Sequence, residues 1–546
     1  MKDSIDFFIS QFRSHLESPH EEAAYRRPRP YRNAAVSFRK CGLGDFEERR
    51  RLLVEEAGLN AFLFRADRIP GCDLLSDSGT TTMTMEQWAQ LLLGDEAYGS
   101  NEGYFELKDQ IARTFGPSWR QRPGLMTGER EPLFIFHQGR AAENALFSVL
   151  ARELRRAGSP RSNALSDALS SELRSRIERR MRPMRGGVAG DAPYYVIPSN
   201  SHFDTTESNI EDKLMVPINL PCREHLADDE SFAFRGNMNL PELDNLLSAE
   251  PGRVPLVYLT VTNNTGGGQP VSMDNIRRVG EITRAHGVPF FIDACRFAEN
   301  AWFIQRREPA YAGRSIESIV HEIFECADGF HISFKKDGLV NIGGAVCLRE
   351  ESCFTKRFPR FMNELTDYQI MTEGHPTYGG LAGRDLRAIA EGLRTVTRRE
   401  YLDLRIGQVE RFGERLRQLG IPTIRPTGGH AIYIDVDRFF DGAARDDEFR
   451  GISFTALLLI AGHRFCELGL YAFGSYDGAR EIPPEPRVNN IRAAVPRLAY
   501  EDRDLLAAAE AVKLLHDHRD RIPAVRVEYG RDLKLRHFKS RFSFVR

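Results

Sequence analysis

Between residues 254 and 348 the sequence alternates between two hydrophobic periods, and that alternation limits what the chain can fold into. "VPLVYLTVT" (254–262) is a continuous apolar run rich in β-branched residues. "SMDNIRRVGEITRAHG" follows with helical spacing, a Ser272 N-cap and a stop at Gly287. "VPFFIDA" (288–294) is again strand-like, "SIESIVHEIFECADG" helical, and "FHIS" and "GGAVCL" are two further strands. Apolar strands separated by helices predict an α/β protein with a mainly parallel sheet covered on both faces.

The rest of the chain is organised around that block. "EPLFIFHQGRAAENALFSVLAREL" predicts one more strand (133–136), a turn and a helix. Residues 45–65 read as a helix ended at Gly58 and then a strand; residues 1–40 read as a short helix and a Pro/Arg-rich arm, "YRRPRPYRN". Residues 155–192 are dominated by Arg, Ser, Gly and Pro. They read as a basic insertion on the surface, with a polar helix between flexible ends and a charge that suits an acidic partner. Beyond 385, long amphipathic helices and short strands ("HAIYIDV", "VNNIRAAVP") predict a smaller α+β domain. A chain of 546 residues exceeds one core. The expected division is 1–83 for an N-terminal arm and part of the small domain, 84–385 for the large domain, and 386–546 for the C-terminal small domain.

Charge excludes several classes. The 75 basic and 77 acidic residues leave a net charge of -2, against a nucleic-acid or anionic-membrane partner. No apolar run reaches the length of a membrane span or a signal peptide, and the eight cysteines form no C-x-x-C, so a reduced, cytoplasmic protein is expected. No Walker A loop is present, "TGGGQP" is not G-x-G-x-x-G, and "HEIFE" lacks the second His of a zinc-protease helix.

Ligands of open α/β sheets bind beyond the carboxyl ends of the strands. There the predicted strands deliver Gln138-Gly139-Arg140, Asn263 and Asn264, Asp293 with Arg296, and Ser333, Lys335 and Lys336. Each has an ordinary reading alone: a βα turn, a strand-end Asp, a solvated lysine doublet. Together they are what pyridoxal phosphate requires: a lysine to bond its aldehyde, an acid facing its ring nitrogen and a phosphate cradle at a helix N-terminus.

The stretches "DLLSDSGTTTM", "LLGDEAYGS", "HQGRAAENALFS", "HFDTT", "GGGQPVSM", "DACRFAENAWFI", "SFKKDGLVNIGG", "HPTYGGLAGRD", "IRAAVPRLAY" and "LRHF", in this order, resemble the aromatic amino-acid β-eliminating lyases, tryptophanase and tyrosine phenol-lyase. The resemblance runs from about residue 30 to the C-terminus and omits 155–192. It implies the aspartate-aminotransferase-like fold type I of pyridoxal-phosphate enzymes. It implies that Lys336 bonds the cofactor, Asp293 faces the ring nitrogen and Arg296 the ring hydroxyl. Gln138, Gly139, Arg140 and Ser333 would hold the phosphate near Lys335, Phe203 would stack on the ring and Asn264 would lie beside it. Arg492 would clamp the substrate carboxylate with Ser76 nearby. Tyr98 would be the general acid for the leaving group, reaching in from a neighbouring subunit of a homotetramer, with Tyr378 at that interface. Gly79, Glu96 and Asn341 would hold a potassium ion.

Asp204 and His537 match tryptophanase, and no Arg precedes Arg480 in the shortened "GLYAFGSYDG", where a phenol-lyase has its substrate arginine. That favours tryptophan over tyrosine or a modified aromatic amino acid, although a helix-capping Asp204 and a core His537 are the ordinary alternatives. Phe473 and Tyr471 are candidates for the altered pocket wall. A silent binding protein working through its insertion is the alternative of another class.

Overall fold

The computed structural model describes residues 40–119, 132–158, 164–185, 195–225 and 231–545, with the side chains of 182–185 left aside. The expected arm at 1–40, Lys40 excepted, and residues 159–163 and 186–192 of the insertion therefore lie outside the described residues.

Seven strands form the main sheet: β1 (Leu133–Phe136), β2 (Val196–Ser199), β3 (Val216–Asn219), β4 (Val257–Thr260), β5 (Phe290–Asp293), β6 (Gly329–Ser333) and β7 (Gly344–Leu348). Their order is β1-β7-β6-β5-β4-β2-β3. The ladders from β3 to β6 are parallel; β7 alone runs the other way, antiparallel to both β6 and β1. The helices that matter for the site are α1 (Gly139–Ala157), α2 (Ser171–Arg185), α3 (Asp204–Asp212), α4 (Leu240–Ala249), α5 (Phe297–Arg307), α6 (Gly383–Val396) and α7 (Arg399–Gln418).

The continuous apolar runs are explained by two covered faces. Phe134, Phe136, Tyr258, Phe291 and Val346 pack with Leu146, Phe147 and Leu150 of α1. Their strand neighbours Ile135, Leu259, Ile292, Phe330 and Ile332 pack with Phe297, Phe303 and Ile304 of α5. Side chains alternate with period two, and both sets are buried.

The reversal of β7 shapes one edge of the sheet. It leaves residues 334–343 as a loop on the edge where β1, β4, β5 and β6 all end. The registers meet at one residue: Gly344 lies opposite both Phe136 of β1 and Ser333 of β6.

A second sheet is built later in the chain from β8 (Ala431–Asp435), β9 (Cys466–Leu468) and β12 (Asn490–Ala494), with a separate short hairpin of β10 (Ser475–Tyr476) and β11 (Glu481–Ile482) between β9 and β12 in sequence. β12 pairs antiparallel with β8 on one side and β9 on the other. Val409, Phe412 and Leu416 of α7 pack on it. A final hairpin, β13 (Val525–Tyr529) and β14 (Arg541–Phe544), encloses a short 3₁₀ turn at Arg536–Phe538. Among the described residues, no helix is long and apolar enough to cross a membrane.

Two expectations are corrected. Residues 60–65 form turns, not a strand; Asn60 there spends its amide on the carbonyls of His537 and Ser540 at 3.0 and 2.7 Å. The insertion is no solvated excursion. Its helix α2 forms as expected, but Leu169, Leu173, Ile177 and Met181, spaced by four, are buried in the main core with Val216 and Ile218 of β3. The Arg/Ser composition hid that apolar stripe.

Candidate functional site

At the strand-end edge lies a cavity of about 260 Å³. One corner is a cradle. β1 ends at Phe136, and α1 begins at Gly139 with Gln138 as an N-cap whose side chain caps nothing. The first amides of α1 therefore keep their donor capacity for an anion. A Cβ on Gly139 would stand 2.5 Å from that of Ser333, so only glycine lets the two loops approach. Arg140, Ser333 and Lys335 line the same cavity. Burial lowers the Lys335 ammonium's pKa, with Lys336 and Arg140 adding to the effect.

Asp293 sits at the end of β5, buried. Beneath it, His331 Nδ1 lies 3.8 Å from both Asp293 and Glu143 and contacts the Tyr258 hydroxyl at 2.9 Å. Burial raises the Glu143 carboxyl's pKa, Asp293 adds to this and His331 opposes it. Asn264 Oδ1 accepts from Tyr433 at 2.6 Å and contacts His430 Nε2 at 2.8 Å. Lys336 opens onto the cavity from the loop between β6 and β7.

Arg296 lines the cavity too, but it carries a partner that sequence reasoning missed. Its Nε and Nη2 donate to Asp77 at 3.0 and 2.7 Å. Asp77 also accepts from Arg497, which in turn reaches Glu299 and Asp337 at 2.8 Å each. All are buried. Burial works against each charge, yet Asp77 stays well below the usual carboxylate range because Arg296, His430 and Arg497 face it. Asp337, next to Lys336, is pushed up to about 6 by burial and Glu299, against the pull of Arg497. The partners are remote in sequence, so no spacing signalled the network; the Asp inside "SDSGT" was the one clue.

On the other side, Arg492 projects from the central strand β12. Its Nη2 donates to Leu75 O at 2.9 Å and its Nη1 to Asn264 at 3.3 Å. Its Nε is buried without a hydrogen-bond partner among the described residues. Asp204, first residue of α3, pairs with His537 Nε2 at 3.0 Å, both buried. His537 Nδ1 is likewise buried and unpartnered among the described residues. Phe203 and Ser76 also line the cavity.

The expected wall from the 470s is corrected. Tyr471 is fully buried, its hydroxyl on Ser540 at 2.6 Å, and neither it nor Phe473 lines the cavity. Cys466 and Leu468 of β9 do so instead, with Phe62 and Phe538. Phe62 meets His537 and Phe538 edge-on, ring centres 5.5 and 4.7 Å apart.

Some expected site residues stand apart. Tyr98 is 79% exposed and contacts His375 and Tyr378 rather than the cavity of its own chain. Gly79 and Asn341 do come together: a Cβ on Gly79 would lie 3.7 Å from Asn341 O. Asn341's side chain is bonded to the backbone of Thr81. Glu96 is exposed and pairs with Arg384.

The arrangement fits pyridoxal phosphate. A glycine-narrowed helix N-terminus suits the phosphate, a buried carboxylate suits the ring nitrogen and a lysine stands in the same cavity. The β-eliminating lyase family matches residues 73–511. The chain belongs to that family. The lyase is 36% identical over 497 residues to a tryptophanase of Hyphomonas neptunium, covering 91% of this chain and 95% of the relative. It is 33% identical over 501 residues to a tyrosine phenol-lyase of Clostridium tetani, covering 91% and 95%. Serine palmitoyltransferase of Sphingomonas wittichii shares its fold, with a TM-score of 0.50 at 12% identity over 95% of this chain and 99% of that one. The lyase is thus a pyridoxal-phosphate-dependent enzyme of fold type I, and the silent binding protein is not favoured.

Proposed function

We propose that this lyase cleaves the Cβ–Cγ bond of L-tryptophan, giving indole, pyruvate and ammonia. The observation that carries the reading is the buried Asp204–His537 pair. In the tautomer that gives Nε2–H to Asp204, Nδ1 is an acceptor inside an apolar wall of Phe62, Leu468 and Phe538. An indole N–H is the donor that this acceptor lacks.

Arg492 takes the substrate carboxylate through the face that includes its unpartnered Nε, an anion for which a guanidinium fork is suited. Lys336 would hold the cofactor, and its amine would take the Cα proton. Bound pyridoxal phosphate supplies the electron sink for the charge left at Cα. Asp293 would keep the ring nitrogen protonated, with His331 and Glu143 packed beneath it. Arg296, its direction fixed by Asp77, would face the ring hydroxyl. The indole carbon must receive a proton as the bond breaks. Tyr98 is the donor, acting in the cavity of an adjoining copy in a tetramer, because in its own chain it faces outward beside Tyr378.

A potassium site from Gly79, Asn341 and Glu96 also needs Glu96 from that copy, since within one chain Glu96 is bound to Arg384; no step rests on the ion. In the same reading residues 84–385 form the cofactor domain, and the N-terminal segment joins 386–546, as supported by Leu74 bonding to Arg464 and Ala494 of the second sheet.

Pyruvate and indole released by the purified holoenzyme test the proposal. Equal amounts from tryptophan are expected. Pyruvate from tyrosine but not tryptophan would replace indole by phenol, and release from neither would end the aromatic reading.

A further inference from the structure

The proposed cleavage uses no residue of the inserted helix α2, yet α2 grips one wall of the substrate side and touches the other. Arg176 pairs with Glu242 of α4 at 3.1 Å and donates to the Asn219 carbonyl. The Asn219 side chain accepts from His202 N at 2.8 Å and donates to Glu207 at 3.1 Å. Arg180 pairs with the same Glu207 at 3.0 Å and with Glu211 at 3.4 Å. Between His202 and Glu207 lie Phe203 and Asp204, so the first turn of α3 is held at both ends.

Across the pocket, Arg179 reaches Glu485 at 2.6 Å, just past β11. Glu481 of β11 accepts from Arg536 at 2.7 Å, and Arg536 precedes His537. The Arg179 pair is half exposed and contributes little; Arg176 and Arg180 are partly buried and carry the grip.

We propose that α2 is a positioning element for aromatic substrates: it sets Asp204 against His537 and so sharpens the ring pocket. This rests on the aromatic reading and deepens it. Asp204 and His537 come from segments far apart in the chain, and misplacement of such a pair by a fraction of an ångström weakens recognition of the ring without touching bond cleavage at Cα and Cβ.

The test compares two substrates on the holoenzyme, tryptophan and S-methyl-L-cysteine, which has no ring to reach Asp204. In the R176Q/R180Q variant kcat/KM for tryptophan is expected to fall about tenfold, mainly through KM, with S-methyl-L-cysteine within about twofold of wild type. R180K should recover part of the loss. Hydrogen exchange on the cofactor-free protein should speed up at residues 204–212 and stay unchanged in β5 and β6. Wild-type kinetics on both substrates would overturn the proposal. So would equal losses on both with unchanged exchange at 204–212, the signature of a helix that only stabilises. Should the double variant not fold, R180Q alone is read in the same way. If the wild type ignores tryptophan, the functional reading fails while the exchange result still decides whether α2 braces α3.

Discussion

Gln138, Asp293, Ser333 and Lys336 reach the cavity from the ends of neighbouring strands or the loop just past one, whereas Phe62, Asp204, Arg492 and His537 come from a turn, a helix start, a second sheet and a C-terminal hairpin. The first group is fixed by ladders, where a shift breaks several hydrogen bonds at about 1 kcal/mol each. The second is fixed by a few side-chain contacts, the Asp204–His537 pair foremost. One side is built to stay the same, and the other can be retuned by changing single contacts. The division matches what each has to do: hold one cofactor, and select among rings.

The largest effect should come from the sheet side. Lys336→Ala is expected to lower pyruvate release by at least about 10³-fold, since a positioned base is lost together with the cofactor's attachment. A stopped pyruvate assay and borohydride trapping check this; trapping that persists in the variant would assign the bond to another lysine. Next, Asp77→Asn leaves Arg296 and Arg497 with a buried charge deficit, expected to cost about 3–5 kcal/mol. Chemical denaturation measures it, and a loss below about 1 kcal/mol would mean the network is not fixed by Asp77.

On the substrate side, Asp204→Asn should reduce kcat/KM for tryptophan about 10²-fold and leave S-methyl-L-cysteine nearly untouched. Equal losses on both would erase the distinction between the two sides. The smallest effect is a pH dependence. Burial pushes His202 down to about 3, with its Asn219 contact opposing. A histidine neutral in the fold but titrating near 6.5 when unfolded stabilises fully above 6.5, and that stability is lost as pH falls toward 3. At pH 5 the loss is about 2 kcal/mol. Tm should therefore fall between pH 7 and 5 in wild type and fall less in His202→Gln.

The same contrast governs what the sequence made legible. Strand ends are local events, so period and turn chemistry mark Gln138, Asp293 and Ser333 in the sequence, and the family resemblance singles out Lys336. Contacts between distant segments leave no spacing. Asp77 on Arg296 spans 219 positions, and Cys466, Leu468, Phe62 and Phe538 meet only through the packing of β9 and the last hairpin. The insertion failed for another reason: its apolar stripe was present at a spacing of four, but Arg and Ser dominated the reading.

The shared register at Gly344 has a consequence for how the chain tolerates change in length. The two halves of the phosphate cradle are aligned across the sheet, each measured from the same residue, and not along the connecting chain. Residues added or removed between Lys336 and Gly343 would alter the loop's path while the distance from Gln138 to Ser333 stayed as it is. The seat for the phosphate is thus insulated from such changes, whereas the loop itself is tied to the core by Asp337, Leu339 and Val340.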